Sequence, residues 1–339
     1  MLRVLYALAP VALISVYFYG WRFAAMIAVA GAAGFVTEWI MAQRRNGKVS
    51  YACFVTTSIL AISLTPTTPF WIIIIASVIA ILFGKEVFGG FGKNVFNPAI
   101  VGRAFVFVSF PIEITSRYVP VFRGFPGGFA QWSWLTQERA PQYLRQAGLS
   151  LADAVSAATP MWARRDLDYV TSIKDLFLGT IGGAFQSDGS WNALSSGSGG
   201  ELSALIILFA GIYLVWTKTA QWRLIVATWC GAIAMNILLR HILGIEAAPT
   251  IPFTLFSGAL MYGSVYMVTD PVSAPKIPLS QWIYGLFIGS MVVFFRAKAI
   301  FTGGVLFSIL LGNMLSPSLD MWFKRIRAMR ASKAKEKPA

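Results

Sequence analysis

Long, uninterrupted blocks of apolar residues constrain this chain more than any other feature of its sequence. Val4–Tyr19, Phe70–Phe83, Leu202–Val215 and Leu224–Leu239 each approach the ~20 residues needed to cross ~30 Å of hydrocarbon. Inside lipid there is no water for backbone N–H and C=O groups, so such blocks must satisfy themselves as helices. Composition agrees: 57% of residues are hydrophobic and 12% charged, against about 25% charged in a soluble domain. Mean hydropathy is +0.66. The expected fold is an all-α polytopic membrane protein.

About ten spans fit the pattern, near residues 4–20, 22–41, 50–65, 69–84, 98–112, 201–217, 223–242, 251–268, 280–296 and 301–320. They form two five-helix halves, 1–112 and 201–322. A polar insertion of roughly ninety residues, 113–200, separates the halves, and a basic tail, 323–339, follows. The first apolar stretch lacks a small-residue cleavage site and reads as a retained helix, not a signal peptide. Two Pro-rich breaks, Ser63–Pro69 and Val268–Pro275, follow spans three and eight, at comparable places in the halves. Such pairs mark an internal repeat with a site at its interface, or they are ordinary loops.

The net charge of +14 gathers at span ends. Arg44, Arg45 and Lys48 share one short loop; Lys85 and Lys93, Lys218 and Arg223, and Lys276 occupy others. The tail adds Lys324, Arg325, Arg327, Arg330, Lys333, Lys335 and Lys337. Cationic loops stay on the cytoplasmic side, beside anionic lipid of the bilayer. Both termini are therefore expected in the cytoplasm of a bacterium, with the chain in its inner membrane. The insertion, with seven basic and seven acidic residues, is expected outside, while Arg296 and Lys298 run against the rule. No basic face interleaved with polar or aromatic readers exists, which excludes a nucleic-acid partner. Two cysteines, Cys53 and Cys230, and one histidine cannot hold an iron–sulfur cluster, and no metal site is expected. Most Trp and Tyr residues fall at span ends, as an ordinary aromatic belt.

The polar loop within Gly84–Phe105 is the first segment that carries chemistry. Gly89, Gly90 and Gly92 permit close backbone approach to a planar or anionic ligand, or serve packing alone. Lys93 and Asn94 are the polar groups beside them, and Asn97 caps a helix that begins at Pro98. The spacing is not that of a phosphate-binding P-loop. Asp270 stands at a membrane edge, where a carboxylate is costly and is a functional candidate. With the Thr269 and Ser273 hydroxyls and the carbonyls freed by Pro271, it suits Na+ or a proton relay, or it caps a turn. Glu86 has similar standing, with Lys85 and Lys93 near enough to pair with it. Asp320 is expected to pair with Lys324.

Four segments, in order, resemble the membrane protein family shared by Rnf electron-transport complexes, where it is the D-type component, and Na+-translocating NADH:quinone reductases, where it is the B-type component. They are Gly84–Phe105; Asp153-Ala-Val-Ser-Ala-Ala-Thr159, similar to a D-G-x-S/T-G-A-T flavinylation motif; Gly197-Ser-Gly-Gly-Glu-Leu-Ser203; and Thr269-Asp-Pro-Val-Ser273. The resemblance implies FMN joined to Thr159 by a phosphodiester and installed by a flavin transferase. Asp153, Ser156 and Ala158 would belong to the recognised motif, bound by the transferase as an extended peptide. Both motif glycines are alanine here, Ala154 and Ala157, which would penalise any positive φ.

Gly197 and Ser198 belong to the segment that precedes the sixth span, where Ser196 or Ser198 could cap the helix. Glu201 either supports that helix start through the dipole or contacts flavin or a cation. A noncovalent riboflavin or a quinone is implied near Gly84–Gly92. The implied role is a redox subunit of an ion-translocating oxidoreductase, not catalytically complete alone and dependent on other subunits for its soluble donor or acceptor. Rnf-like is favoured because the first span lies close to residue 1. The rivals are a non-redox transporter with a urea-channel-like fold and a structural subunit without flavin.

Overall fold

The computed structural model describes residues 1–140, 142–245, 248–299 and 303–335. The start of the expected tenth span, 301–302, and Lys337 of the tail lie outside the described residues. The first half comprises α1 (Leu2–Tyr19), α2 (Trp21–Arg44), α3 (Ala52–Ser63), α4 (Phe70–Ile81) and α5 (Pro98–Ser109). The insertion follows with α6 (Pro111–Thr115), α7 (Gln142–Arg145), α8 (Leu151–Val155), α9 (Pro160–Asp166), α10 (Ile173–Leu178), β1 (Gly183–Ser187) and β2 (Ser190–Leu194). The second half holds α11 (Ala204–Trp216), α12 (Trp222–Ile237), α13 (Ile251–Phe256), α14 (Leu260–Tyr262), α15 (Pro278–Lys298) and α16 (Gly304–Lys335).

Among the described residues, five segments are long and apolar enough to cross a membrane: Leu2–Tyr19, Trp21–Arg44, Trp222–Ile242, Pro278–Lys298 and Gly304–Arg330. The protein is thus a mostly helical, multi-pass membrane protein. Helices also form at the other expected spans, but they are shorter, and the reasons are local. Pro66 and Pro69 lack the N–H groups that would extend α3. Carbonyls in the break after it instead receive the buried Arg22 guanidinium, which donates to Pro66 O and, at 2.6 Å, to Thr68 O. Similarly, the pass through α13 breaks at Gly258, whose φ is +62°. There Arg296 donates to Thr254 O at 2.8 Å and Ser257 O at 3.0 Å.

The expectation of an all-α chain is corrected in the insertion, where β1 and β2 form an antiparallel hairpin. The reason is a two-residue Asp188-Gly189 turn with positive φ at both positions, the geometry that matches strand twist. Phe185, Ala193 and Leu194 turn inward, and the hairpin joins a small core with Ala163, Leu176 and Phe253 of α13.

The helices run between two ends. At the insertion end, Tyr19 Oη lies 2.5 Å from Ser196 Oγ, beyond the C-terminus of α1. At the opposite end Arg3 donates to Thr217 O at 2.7 Å, joining the start of α1 to the end of α11. Asp320 does not reach Lys324 by an ion pair. Its carboxylate accepts the Lys276 and Ile277 N–H groups at 2.8 and 3.3 Å, capping α15 from α16. Within each half the packing is alike: α2 lies on α4 and α4 on α5, as α12 lies on α15 and α15 on α16.

Among the described residues, π-helical turns continue three helices, Leu82–Glu86 after α4, Leu238–Ile242 after α12 and Gly263–Met267 after α14. Single π turns are rare and concentrate near functional sites. Two of them lead directly into the Gly84–Phe105 and Thr269–Ser273 segments.

Candidate functional site

Thr159 sits at a junction of strand and helix. Ala158 N–H donates to Ala193 O, and Ser195 N–H to Ala158 O, both at 2.8 Å, so the segment runs beside β2 as a short parallel bridge. The chain then turns into α9 at Pro160. Thr159 is its N-cap, with Oγ1 accepting the Trp162 N–H at 3.4 Å. Neither Ala154 nor Ala157 has positive φ; Ala154 is helical and both are buried. The two glycine-to-alanine departures therefore carry no backbone penalty here.

Asp153 and Ser156 are exposed, unlike Thr159. Asp153 closes a capping box on α8 with Ser150, and the Ser150 hydroxyl and N–H hold its carboxyl below the usual carboxylate range. Residues 157–160 are buried in the fold, so the segment around Thr159 is not a free extended peptide once the chain has folded.

Thr159 lines a cavity with about 980 Å³ of unfilled space, part of it open to solvent. Ser198 and Glu201 line it too. Gly197 has φ +94°, and a Cβ there would meet Glu201 Oε2 at 2.6 Å and Thr159 Cγ2 at 3.7 Å. Only glycine lets these groups converge. Ser198 Oγ donates to Glu201 Oε1 at 3.0 Å. Sequence reasoning missed the rest of the wall: Arg103 from α5, Arg165 from α9, Arg296 from α15, and the rings of Phe107, Tyr118 and Trp162. In the sequence, Arg296 stands out only as a charge at odds with the topology rule. Apolar walls with a few converging polar groups are the ordinary make-up of a cofactor pocket.

The second cavity, with about 830 Å³ of unfilled space, lies at the other end. Lys85, Phe91, Asn94, Asn97 and Pro98 meet Thr269, Asp270, Pro271 and Val272 there, so two segments far apart in sequence share one wall. Asp270 accepts from Ser273 Oγ at 2.7 Å and from the Val272 and Ser273 N–H groups at 3.4 and 3.3 Å. Its carboxylate is thus a turn cap that also faces the cavity. Thr269 Oγ1 donates to Val265 O at 2.5 Å, and Ser273 is buried outside the lining. Asn97 caps α5 through the Ala99 and Ile100 N–H groups and donates to Met267 O at 3.1 Å, tying the halves together.

Gly89, Gly90 and Lys93 are not part of this wall. Gly89 and Lys93 are exposed. Gly90 makes room for Arg45, whose guanidinium passes where a Cβ would stand. Arg45 pairs with Glu86 at 2.7 Å, and Lys85 pairs with Glu38 at 2.6 Å and Ser50 Oγ at 2.9 Å. The expected partners of Glu86, Lys85 and Lys93, are thus replaced by Arg45. Neighbours in sequence lose to an arginine that the fold delivers from the end of α2.

A model described as the NQR2, RnfD, RnfE family matches residues 1–328. The D-type component of the ion-translocating oxidoreductase complex of Actinobacillus succinogenes is 29% identical over 346 residues, covering 95% of this chain and 91% of that protein. Its counterpart in Yersinia enterocolitica is 31% identical, with 94% and 91% covered. The B-type component of the Na(+)-translocating NADH-quinone reductase of Azotobacter vinelandii is 30% identical over 303 residues, covering 88% of this chain and 66% of that protein.

Proposed function

Because the chain belongs to the NQR2, RnfD, RnfE family, we propose that it is the membrane electron-transfer subunit of an ion-translocating oxidoreductase complex, carrying FMN covalently on Thr159. Its relatives are subunits of such complexes, and a redox-subunit role in a multi-subunit assembly follows from that kinship. The observation that carries the finer reading is the position of Thr159 at the wall of a cavity that Arg103, Arg165, Arg296, Phe107, Tyr118 and Trp162 also line. The donor set fits the group: guanidinium suits phosphate and the anionic reduced ring, and the flat aromatic walls suit isoalloxazine.

FMN, once bound, supplies the one- and two-electron chemistry that this chain's side chains lack. The protein's part is attachment, orientation and control of charge. Thr159 would hold the phosphate by ester linkage, Gly197 keeps the adjoining backbone close, and Ser198 orients Glu201. At the other cavity Asp270 is the carboxylate facing the space, with Thr269 beside it, and a Na+ or a proton would enter there. Glu86 is committed to Arg45 and contributes to holding that end. Riboflavin or a quinone would occupy the second cavity, against Asn94 and Phe91.

All ten helical passes would span the bilayer of a bacterial inner membrane, with the termini cytoplasmic and 113–200 outside. Support comes from the charges: Arg45, Lys85 and Lys276 gather at the end opposite the insertion. The halves would be an inverted repeat, because the break after α3 lines the Thr159 cavity while the break after α14 lines the other.

The test is in-gel fluorescence. Protein co-expressed with a flavin transferase, denatured and resolved on a gel, should glow under ultraviolet light, and Thr159→Ala should abolish the signal. A dark wild-type band from folded, membrane-inserted protein would sink the flavin reading.

A further inference from the structure

The Thr159 cavity is electrostatically lopsided, and the imbalance has a definite geometry. Among the described residues, four charged side chains line it, Arg103, Arg165, Arg296 and Glu201. Arg165 is occupied by its neighbour: Nε and Nη2 donate to the two Asp166 carboxylate oxygens at 2.9 and 2.8 Å. Glu201 accepts from Ser198, and among the described residues no cation lies within ion-pairing distance of it. Arg296 uses two N–H groups on the carbonyls of Thr254 and Ser257, leaving three of a guanidinium's five. Arg103 makes no hydrogen bond or ion pair to another described residue and is half-buried. Two guanidinium groups on α5 and α15 therefore face one carboxylate across the space beside Thr159, and neither closes onto it.

An arrangement like this is stable when something anionic shares the cavity. Guanidinium stays charged at any physiological pH, and a charge at a membrane-embedded wall is costly unless it meets an opposite one. Arg296 has a structural task as well, capping the broken α13. That task leaves its remaining donors aimed by a rigid fork whose rotamer is already fixed.

We infer that Arg103 and Arg296 are the groups that set the reduction potential of the flavin on Thr159, by stabilising the negative charge it acquires, with Glu201 opposing them. The inference rests on the flavin reading given above. Two electrons from a reductant and one proton from water leave the reduced ring with one net negative charge, and no covalent bond of the protein changes. A cation beside that charge favours reduction, and a carboxylate beside it disfavours it. Because the cavity is partly shielded from solvent, each charge acts through a lower effective dielectric than at a surface.

The experiment is a redox titration of the full-length, flavin-loaded protein in detergent, with dithionite as reductant and ring absorbance as the readout. In-gel fluorescence of the same samples reports attachment. Arg103→Gln and Arg296→Gln should each keep the fluorescent band and weaken reduction at least tenfold, a midpoint lower by about 30 mV for a two-electron couple. Arg103→Lys and Arg296→Lys should recover most of the shift, whereas Glu201→Gln should move the midpoint upward. If Arg296→Gln unfolds because α13 loses its cap, Arg103→Gln carries the test, since that side chain bonds to no described residue. Unchanged midpoints in fluorescent Arg103→Gln, or a downward shift in Glu201→Gln, would overturn the inference while leaving the flavin reading intact. A wild-type protein without fluorescence would overturn both.

Discussion

The two ends of the molecule solve opposite problems with similar parts. Each cavity joins a Pro-interrupted segment from one half to the beginning of the fifth helix of the other. Ser63 and Thr65 meet Val305 at the Thr159 end, and Asp270 meets Asn97 at the far end. The charges are handled differently. At the far end two pairs are spent on one another, leaving Asp270 to face the cavity: Lys85 and Glu38 are both 2% exposed and 2.6 Å apart, and Arg45 neutralises Glu86. At the Thr159 end, Arg103, Arg296 and Glu201 are left facing open space. Paired charges fix a backbone; facing ones are available to a guest.

The largest test of that contrast is to unpair the far end. Lys85→Met leaves the Glu38 carboxylate buried without its cation, and stability should fall by about 3–5 kcal/mol, read as detergent thermal unfolding. Glu38→Leu combined with Lys85→Met should restore most of it. Arg103→Gln should cost far less. Equal losses for Lys85→Met and Arg103→Gln would erase the distinction between a structural and a receptive end.

Close packing offers a finer comparison. A Cβ on Gly84 would stand 2.7 Å from Pro98 Cα, and one on Gly200 2.7 Å from Tyr262 Cγ. Overpacking of this kind costs about 1–3 kcal/mol. Gly84→Ala should sit at the upper end, because backbone cannot move aside, and Gly200→Ala below it, because a ring can tilt. The same unfolding scans rank them, and the reverse order would mean that the Gly84 loop is the softer element.

Asp270→Asn separates the ends functionally. It keeps the shape of the turn cap and should change stability by only about 1 kcal/mol, with in-gel fluorescence at Thr159 intact. Ion uptake into vesicles bearing the assembled complex should fall. Uptake that persists would remove Asp270 from the ion route.

The smallest effect belongs to Asp153. Its folded pKa is lowered, so its contribution is present above the ordinary carboxylate pKa and is lost as pH falls through the lowered folded value. The group is exposed and screened, so removing the capping interaction with Asp153→Asn should narrow the stability difference between neutral and acidic solution by no more than about 0.5 kcal/mol. Chemical denaturation at two pH values reads this directly.

Much of the helical layout was legible because apolar length is a direct consequence of lipid thickness. The Pro breaks and the Asn97 cap were legible because proline and asparagine act on their own neighbours. The hairpin at Asp188-Gly189 announced itself with an Asp-Gly turn, but a short pair of strands inside a polar insertion is outweighed by the helical pattern around it. Arg103 and Arg296 were not legible as cavity residues. Arg103 looks locally like a solitary charge in an apolar run and Arg296 like one of two basic residues at the end of another, and the meaning of each depends on Glu201, which lies at a sequence separation no periodicity encodes. Glu86 makes the same point in reverse: Lys85 is adjacent in the chain, yet it points to Glu38 on α2.

Thr159 is only 8% exposed, its hydroxyl already engaged by the Trp162 N–H, with β2 alongside. A large enzyme approaching from solution meets Asp153 and Ser156, not the acceptor oxygen. On the flavin proposal, esterification of that oxygen would be a question of timing. It would have to occur while the insertion is still assembling, or in the rare moments when α9 lifts from the sheet. The rate of loading would then follow the opening equilibrium of this small region, and a more stable insertion would be a slower one to mature.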